Sequence, residues 1–439
     1  MIFLTIAYRN VRKNWRHSLS ALLSISAAFV SLVLFDGYIS DLKDMYVDSF
    51  RHRSMLGDLI IENPQIHSKE GLADPDKFRI TKAQQEQIND FLNVKSDEVK
   101  ARIRSISFQG VVTNGLQSSI IIGRGYDVKE GEIMRGAGWS WNTTFGHPLH
   151  VKQIENSAVM GQGLARRLAC QWTKIKNFNT FSGGYEPVER PFGCPRYDVQ
   201  VSVMTADGQL NAMDLQLVGL IDAGYRDIDD RYLVTSYETA KQLINSESVD
   251  MMSVMLNKAS YQSRFIETMN RKLSEWNMPL QAMSWVDHPV GETYLKTVGL
   301  MTIFRNFVVI VILVISVLSV INTLVKIIKE RSREIGTLRS LGFHSRQVLK
   351  MFVYETLMLT CLGVFIGMVA SGLITVFLNA IQIRYKAGML SEPVLFRIRF
   401  ALGDYMGAFS LLLFVSVLAC LYATRNELRK KIVDNFMHA

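Results

Sequence analysis

His147-Pro148-Leu149-His150 is the nearest approach in this chain to a pair of metal ligands. Two imidazoles can share an ion when a helix or tight turn aims both ring nitrogens at one point and Cys, Asp or Glu completes the set. Here a proline separates the pair and no Cys or Glu cluster flanks it, so it reads as a loop with two histidines. Gly161-x-Gly163 lacks the third glycine and the setting of a dinucleotide site. No G-x-x-x-x-G-K-[ST] run occurs, so no loop of that kind cradles phosphate, and the chain is expected to hydrolyse no ATP. Asn142-Thr143-Thr144 matches a glycosylation sequon, a three-residue pattern frequent by chance. The reading is of a chain that is not an enzyme, with no catalytic, cofactor or metal residues of its own.

The elements that would position such residues are dominated by four apolar segments: Ser18 to Phe35, Phe307 to Val325, Met351 to Ile381 and Tyr405 to Ala423. Each is long enough to cross a hydrocarbon core of about 30 Å at about 1.5 Å per residue. The first follows Arg9, Arg12, Lys13 and Arg16 but is longer than a signal-peptide core. No small-x-small site follows it before Asp36, so it reads as an uncleaved crossing. Polar residues inside the crossings are mild. Ser316, Ser319, Asn322, Thr323, Ser371 and Thr375 suit helix–helix hydrogen bonds rather than a solute path. Glu355 is read as an acid favoured near a helix N-terminus.

Residues 37 to about 298 look soluble and of α+β class. Asp58 to Glu62 is strand-like. Val111-Val112 and Ser119 to Gly123 flank Asn114-Gly115, a short hairpin signal. Tyr197 to Val203 alternates, and Asp207-Gly208 turns the chain towards Met213 to Val218. Helical patterns cover Thr81 to Leu92, Gln162 to Leu168, Tyr237 to Ile244 and Phe265 to Trp276. From Gly136 to about Pro195 the chain is rich in Trp, Asn, Gly and Pro, which reads as a loop-rich subdomain or insertion. Of four cysteines, Cys361 and Cys420 fall in apolar segments, and Cys170 and Cys194 in the insert. Two readings are open for the latter pair: a disulfide, if the insert lies outside the cytoplasm, or two unrelated thiols.

Lys329 to Gly342, KERSREIGTLRSLG, lies between the second and third apolar segments. Ile335, Leu338 and Leu341 share one helical face, and Arg331, Arg333, Glu334 and Arg339 surround it. Such a helix at a membrane rim is a surface on which a soluble partner can push; it is also a positive-inside cap. The N-terminal tail carries four basic residues and no acid, and Lys326 to Lys350 carries seven. The tail after Ala423 adds Arg425, Arg429, Lys430 and Lys431, so both termini are expected in the cytoplasm. Arg384, Lys386, Arg397 and Arg399, between the last two crossings, run against that rule. The net charge of +9 comes mostly from membrane-flanking clusters, which argues against a nucleic-acid partner.

The run KERSREIGTLRSLGFHSRQVLKMFVYET, with Glu355, Gly363 and Gly367 beyond it, resembles the signature of the FtsX/MacB/lipoprotein-release superfamily of ABC permeases. Ala158 to Leu168 is similar to that family's G-x-x-L-A-x-x-L element. Leu217 to Tyr225, Asp229 to Tyr232 and Tyr237 to Leu243 resemble a run of the lipoprotein-releasing permeases. The match weakens from about 136 to 195, where Ala169-Cys-Gln-Trp-Thr replaces the usual G-D-x-V.

The resemblance implies a bacterial inner-membrane protein of four crossings with a large periplasmic α+β domain between the first and second. The expected map is a tail at 1–17, crossings at 18–44, 298–328, 347–382 and 404–425, and a periplasmic domain at 45–290, with about 136–222 more variable. A coupling helix at 329–346, a periplasmic loop at 383–403 and a tail at 426–439 complete it. Arg331, Arg333, Glu334, Ile335, Gly336, Leu338, Arg339 and Gly342 are the expected contacts to the ATPase. Implied partners are a cytoplasmic ABC ATPase dimer holding ATP and Mg, a second permease subunit, identical or not, the lipid membrane, and a periplasmic carrier or adaptor. The implied work is extraction of lipoprotein or another amphiphile. The alternatives are MacB-like efflux of drugs or peptides and FtsX-like signalling to cell-wall hydrolases.

Overall fold

The computed structural model describes residues 15–152, 154–173, 186–330, 337, 344–385 and 394–428. Its chain divides into two compact units: Met1–Lys43 with Thr297–Arg384 and Leu395–Ala439, and Asp44–Lys296 with Tyr385–Val394. Among the described residues four helices are long and apolar enough to cross a membrane. They are Trp15–Asp48, Glu292–Glu330, Ser345–Ile381 and Leu402–Leu428. The α+β domain is inserted between the first and second, as the sequence leads one to expect. The second helix has 39 residues, about 58 Å at about 1.5 Å per residue, well beyond what a crossing needs.

In the helical unit Ile25, Phe29, Leu32, Val320, Leu324, Phe352, Leu412 and Cys420 form one buried cluster. Gly363 and Gly367 bring the third helix onto the first: an added Cβ would stand 3.0 Å from the Ile25 Cβ and 3.0 Å from the Ser26 carbonyl oxygen. Small residues four apart give this close approach where apolar burial against lipid gives little. Ser319 donates to the Ser24 hydroxyl at 2.7 Å, the helix–helix bond expected of it. Glu355 departs from its expected role. It is buried well past the first turn, out of reach of the helix N-terminal dipole.

The other unit is built on a ten-stranded sheet, ordered β10-β1-β9-β2-β3-β8-β5-β7-β4, with β6 pairing both β2 and β7. The strands are β1 Leu59–Glu62, β2 Val99–Thr113, β3 Ser118–Tyr126, β4 Thr143–Gly146 and β5 Ser157–Gly161. They continue with β6 Asp198–Met204, β7 Leu210–Ile221, β8 Tyr232–Ser236, β9 Met251–Leu256 and β10 Gln281–Ser284. β3–β8 and β5–β7 are parallel and the other pairs antiparallel. Along β2 the buried face changes. Ala101 and Ile103 pack on one side with Tyr126 and Met134, while Ile106, Phe108 and Val112 pack on the other with Ile88, Leu243 and Phe265. Successive strand residues point to opposite faces, so the two halves of β2 are covered from opposite sides.

β4 and β5, which lie within the stretch from Gly136 to about Pro195, join the one sheet together with β6 and β7. The hairpin expected at Asn114-Gly115 forms, with Thr113 opposite Ser118 across the turn. Asn114 Oδ1 accepts from the backbone N–H of Leu116 and Gln117, so the loop runs from Asn114 to Gln117 before β3 resumes. Gly115 has a φ of +80°, which glycine adopts at little cost. The turn at Gly208 follows the expected pattern, joining β6 and β7 at a φ of +76°.

Candidate functional site

Within the sheet unit, the ends of the first two long helices are closely anchored. The first helix leaves as Asp48-Ser49-Phe50-Arg51-His52-Arg53, and residues 49–53 wind as one loose π turn. The wider turn spreads the side chains, and each finds a different anchor. Asp48 Oδ2 accepts from Trp139 Nε1 at 2.6 Å. Arg51 Nε pairs with Asp58 Oδ1 at 3.0 Å, and His52 Nδ1 meets the Met134 carbonyl at 2.9 Å. Arg53 pairs with Asp222 Oδ2 at 2.9 Å while its guanidinium lies 5.2 Å over the Trp139 ring. Three basic side chains beside an apolar segment are thus partnered where they stand.

Phe50 stacks on Trp285, ring centres 5.1 Å apart and planes within 5°. Tyr294, in the first turn of the second long helix, closes edge-on against both, at 6.1 and 5.1 Å. Leu56 and Ile60 pack beneath. Offset aromatic contacts add to the burial of large apolar surface. The chain leaving the first helix and the chain entering the second are therefore held in one aromatic joint. Sequence reasoning missed this joint. Its signals were Arg51-His52-Arg53 directly after an apolar run and isolated tryptophans at 139 and 285.

A second fixed point lies where the two family-like runs meet. An alanine Cβ at Gly161 would sit 2.1 Å from the Asp229 carbonyl, and one at Gly163 would sit 2.1 Å from Asp230 Oδ1. Asp229 accepts from the Gly163 and Ala223 N–H groups at 2.7 and 3.0 Å. Burial pushes its carboxyl above the usual carboxylate range against those bonds. These glycines serve close packing. The histidines at 147 and 150 take separate partners: His147 Nδ1 faces its neighbour's carbonyl on Pro148, and His150 faces Glu132 at 3.7 Å. Cys170 and Cys194 form a disulfide beside the paired backbones of Gln171 and Gly193.

The expected ATPase contacts Arg331, Arg333, Glu334, Ile335, Gly336, Leu338, Arg339 and Gly342 lie outside the described residues. The structure places what flanks them: the second helix through Glu330, and the third from Ser345, whose start is fixed by the His344 N–H donating to Gln347 Oε1 at 2.9 Å.

Among the described residues, four apolar helices and an inserted sheet domain give the architecture of a multi-pass membrane protein. Residues 306–432 match the family model of the FtsX-like permease C-terminal domain. That span takes in most of the second long helix, the third and fourth helices, and the signature run of the family the chain resembles. No curated protein matches the chain. The extracellular domain of the noncanonic ABC-type transporter YknZ from Gram-positive bacteria is 14% identical. It matches 52% of this chain and 99% of its own, with a TM-score of 0.32. The periplasmic region of MacB from Actinobacillus actinomycetemcomitans is 13% identical, covering 55% of this chain and 92% of its own, also at 0.32. Both likenesses are slight.

Proposed function

We propose that this permease subunit sits in the bacterial inner membrane with both termini in the cytoplasm and converts ATP hydrolysis on a separate ATPase into a shape change of its outer domain. In this reading the ATPase, with its ATP and Mg, pushes on the segment Lys329 to Gly342, and the long second helix carries the push. The observation that supports the reading best is the Phe50–Trp285–Tyr294 joint, which lets the domain receive motion from the helix instead of merely being tethered. The proposed cargo is lipoprotein or another amphiphile lifted from the membrane. In support, the β2–β3 hairpin leaves Val111, Leu116, Ile120 and Ile122 exposed on the folded domain.

The test is reconstitution of the full chain with the ATPase that co-purifies with it, in liposomes bearing an acylated protein. ATP-dependent transfer of that protein to a soluble fraction is expected. Transport of drugs or peptides instead would favour efflux. ATP-dependent activation of a cell-wall hydrolase without any transfer would favour signalling. An ATPase absent from every preparation would sink the coupled reading.

A further inference from the structure

Glu62 ends β1, His67 closes the short helical turn Pro64–His67, and His288 opens the turn Pro289–Gly291 that leads into the second long helix. Far apart in sequence, they meet around one carboxylate oxygen. His67 Nε2 lies 2.8 Å and His288 Nε2 2.9 Å from Glu62 Oε1. Glu62 and His288 are buried, at 2% and 4% exposure, and the two imidazoles meet edge to face at 5.1 Å.

Two imidazoles and a carboxylate suggest a divalent cation, but the second nitrogen of His288 argues otherwise. Its Nδ1 accepts the Val290 backbone N–H at 3.0 Å, so a neutral ring carries its proton on Nε2, the atom facing Glu62. A metal on Nε2 would displace that proton and leave Nδ1, facing a donor, nowhere to hold one. Metal-bound histidines instead donate their other N–H outward. The Nε2 of His288 is buried and makes no well-directed hydrogen bond, which marks a polar point not yet fully satisfied.

We propose that Glu62, His67 and His288 form a proton-binding site that sets how firmly the root of the second long helix is held to the sheet. The half-exposed His67 is the member water can reach. Its bond to Glu62 lifts its imidazole above the ordinary value, outweighing its partial burial, with Asp250 adding a smaller pull. Burial pushes the Glu62 carboxyl up, but the His288 and His67 imidazoles that face it at 2.9 and 2.8 Å prevail and hold it below the usual range. Of the surrounding charges, Asp250 is paired with Arg79 at 2.7 Å, Arg79 also pairs with Asp76, and Asp287 beside His288 faces water. The sign follows. A raised histidine gives stability that is full below its unfolded value and is lost as pH rises through its folded value. A depressed carboxylate gives stability that is present above its unfolded value and lost as pH falls through the folded one. The latch is firmest at mildly acidic pH and loosens on the alkaline side of the raised His67 value. Nothing in this depends on the cargo or the ATPase.

The experiment is hydrogen exchange on the full chain in lipid nanodiscs, corrected for intrinsic rates, from about pH 5.5 to about pH 8.5, a span centred near the ordinary histidine value. In the wild type, protection of residues 286–296 should fall about three- to tenfold as pH rises, read as local opening. His67→Gln keeps a donor but cannot charge, and should flatten the slope while leaving distant strands unchanged. His67 is exposed enough for this variant to fold even if Glu62→Gln does not. An identical slope in wild type and His67→Gln would overturn the proposal. So would stoichiometric binding of zinc alone that protects the wild type but not His67→Gln, since the site would then take a metal.

Discussion

Gly161 carries more of the domain than its size suggests. An alanine there would drive its Cβ into the Asp229 carbonyl, which is backbone and cannot swing aside. Overpacking of this kind costs about 1–3 kcal/mol, so Gly161→Ala should lower the thermal midpoint of the purified chain by several degrees. An unchanged midpoint would show that residues 229–230 can shift. At this scale the sequence was partly legible. The cysteines at 170 and 194 stood out because few others compete with them. The glycines at 161 and 163 were visible, but their reason was not, since the chain that crowds them comes from residues 229–230. Glu62, His67 and His288 could not be seen together, because the sheet alone brings β1 beside the chain leaving β10.

Elements fixed by local signals were the most readable. Thr81 caps the Lys82–Val94 helix with Gln84 reciprocating, and Tyr237–Ile244 begins and ends where its pattern does. The order of strands was not readable, because it depends on parallel pairings such as β3 with β8 and β5 with β7 that no turn dictates. Composition suggested a separate subdomain before about residue 195; the strands within it are short and buried on every residue in β4 and β5, so they show no alternation. The disulfide belongs to this scale. It closes a loop with a sequence separation of 24, so its loss should cost about 3 kcal/mol in the chain-entropy account. Thermal melts with and without reductant, alongside Cys170→Ser, should agree on that loss; free thiols in protein purified without reductant would contradict it.

At the scale of the whole molecule, the proposed work is transmission: a partner ATPase pushes on Lys329 to Gly342 and the sheet domain responds. If the Lys329 to Gly342 segment docks an ATPase as proposed, Leu338→Ala should weaken that docking by about 1–3 kcal/mol, as loss of an interface anchor does. Glu334→Arg should do more harm than Glu334→Ala, because repulsion is added to a lost pair. Wild-type co-purification and hydrolysis in all three would reduce the segment to a charged cap. The central claim, that motion passes through the aromatic joint, is tested most directly by Trp285→Ala in the reconstituted complex. Trp285 is buried against Phe50 and Tyr294. The measurement is cargo released per ATP hydrolysed, on preparations shown by melting to be folded. The account predicts ATP hydrolysis within about twofold of wild type and at least about a tenfold loss of release, equivalent to about 1.4 kcal/mol of coupling. Release per ATP equal to wild type in a folded Trp285→Ala complex would contradict it.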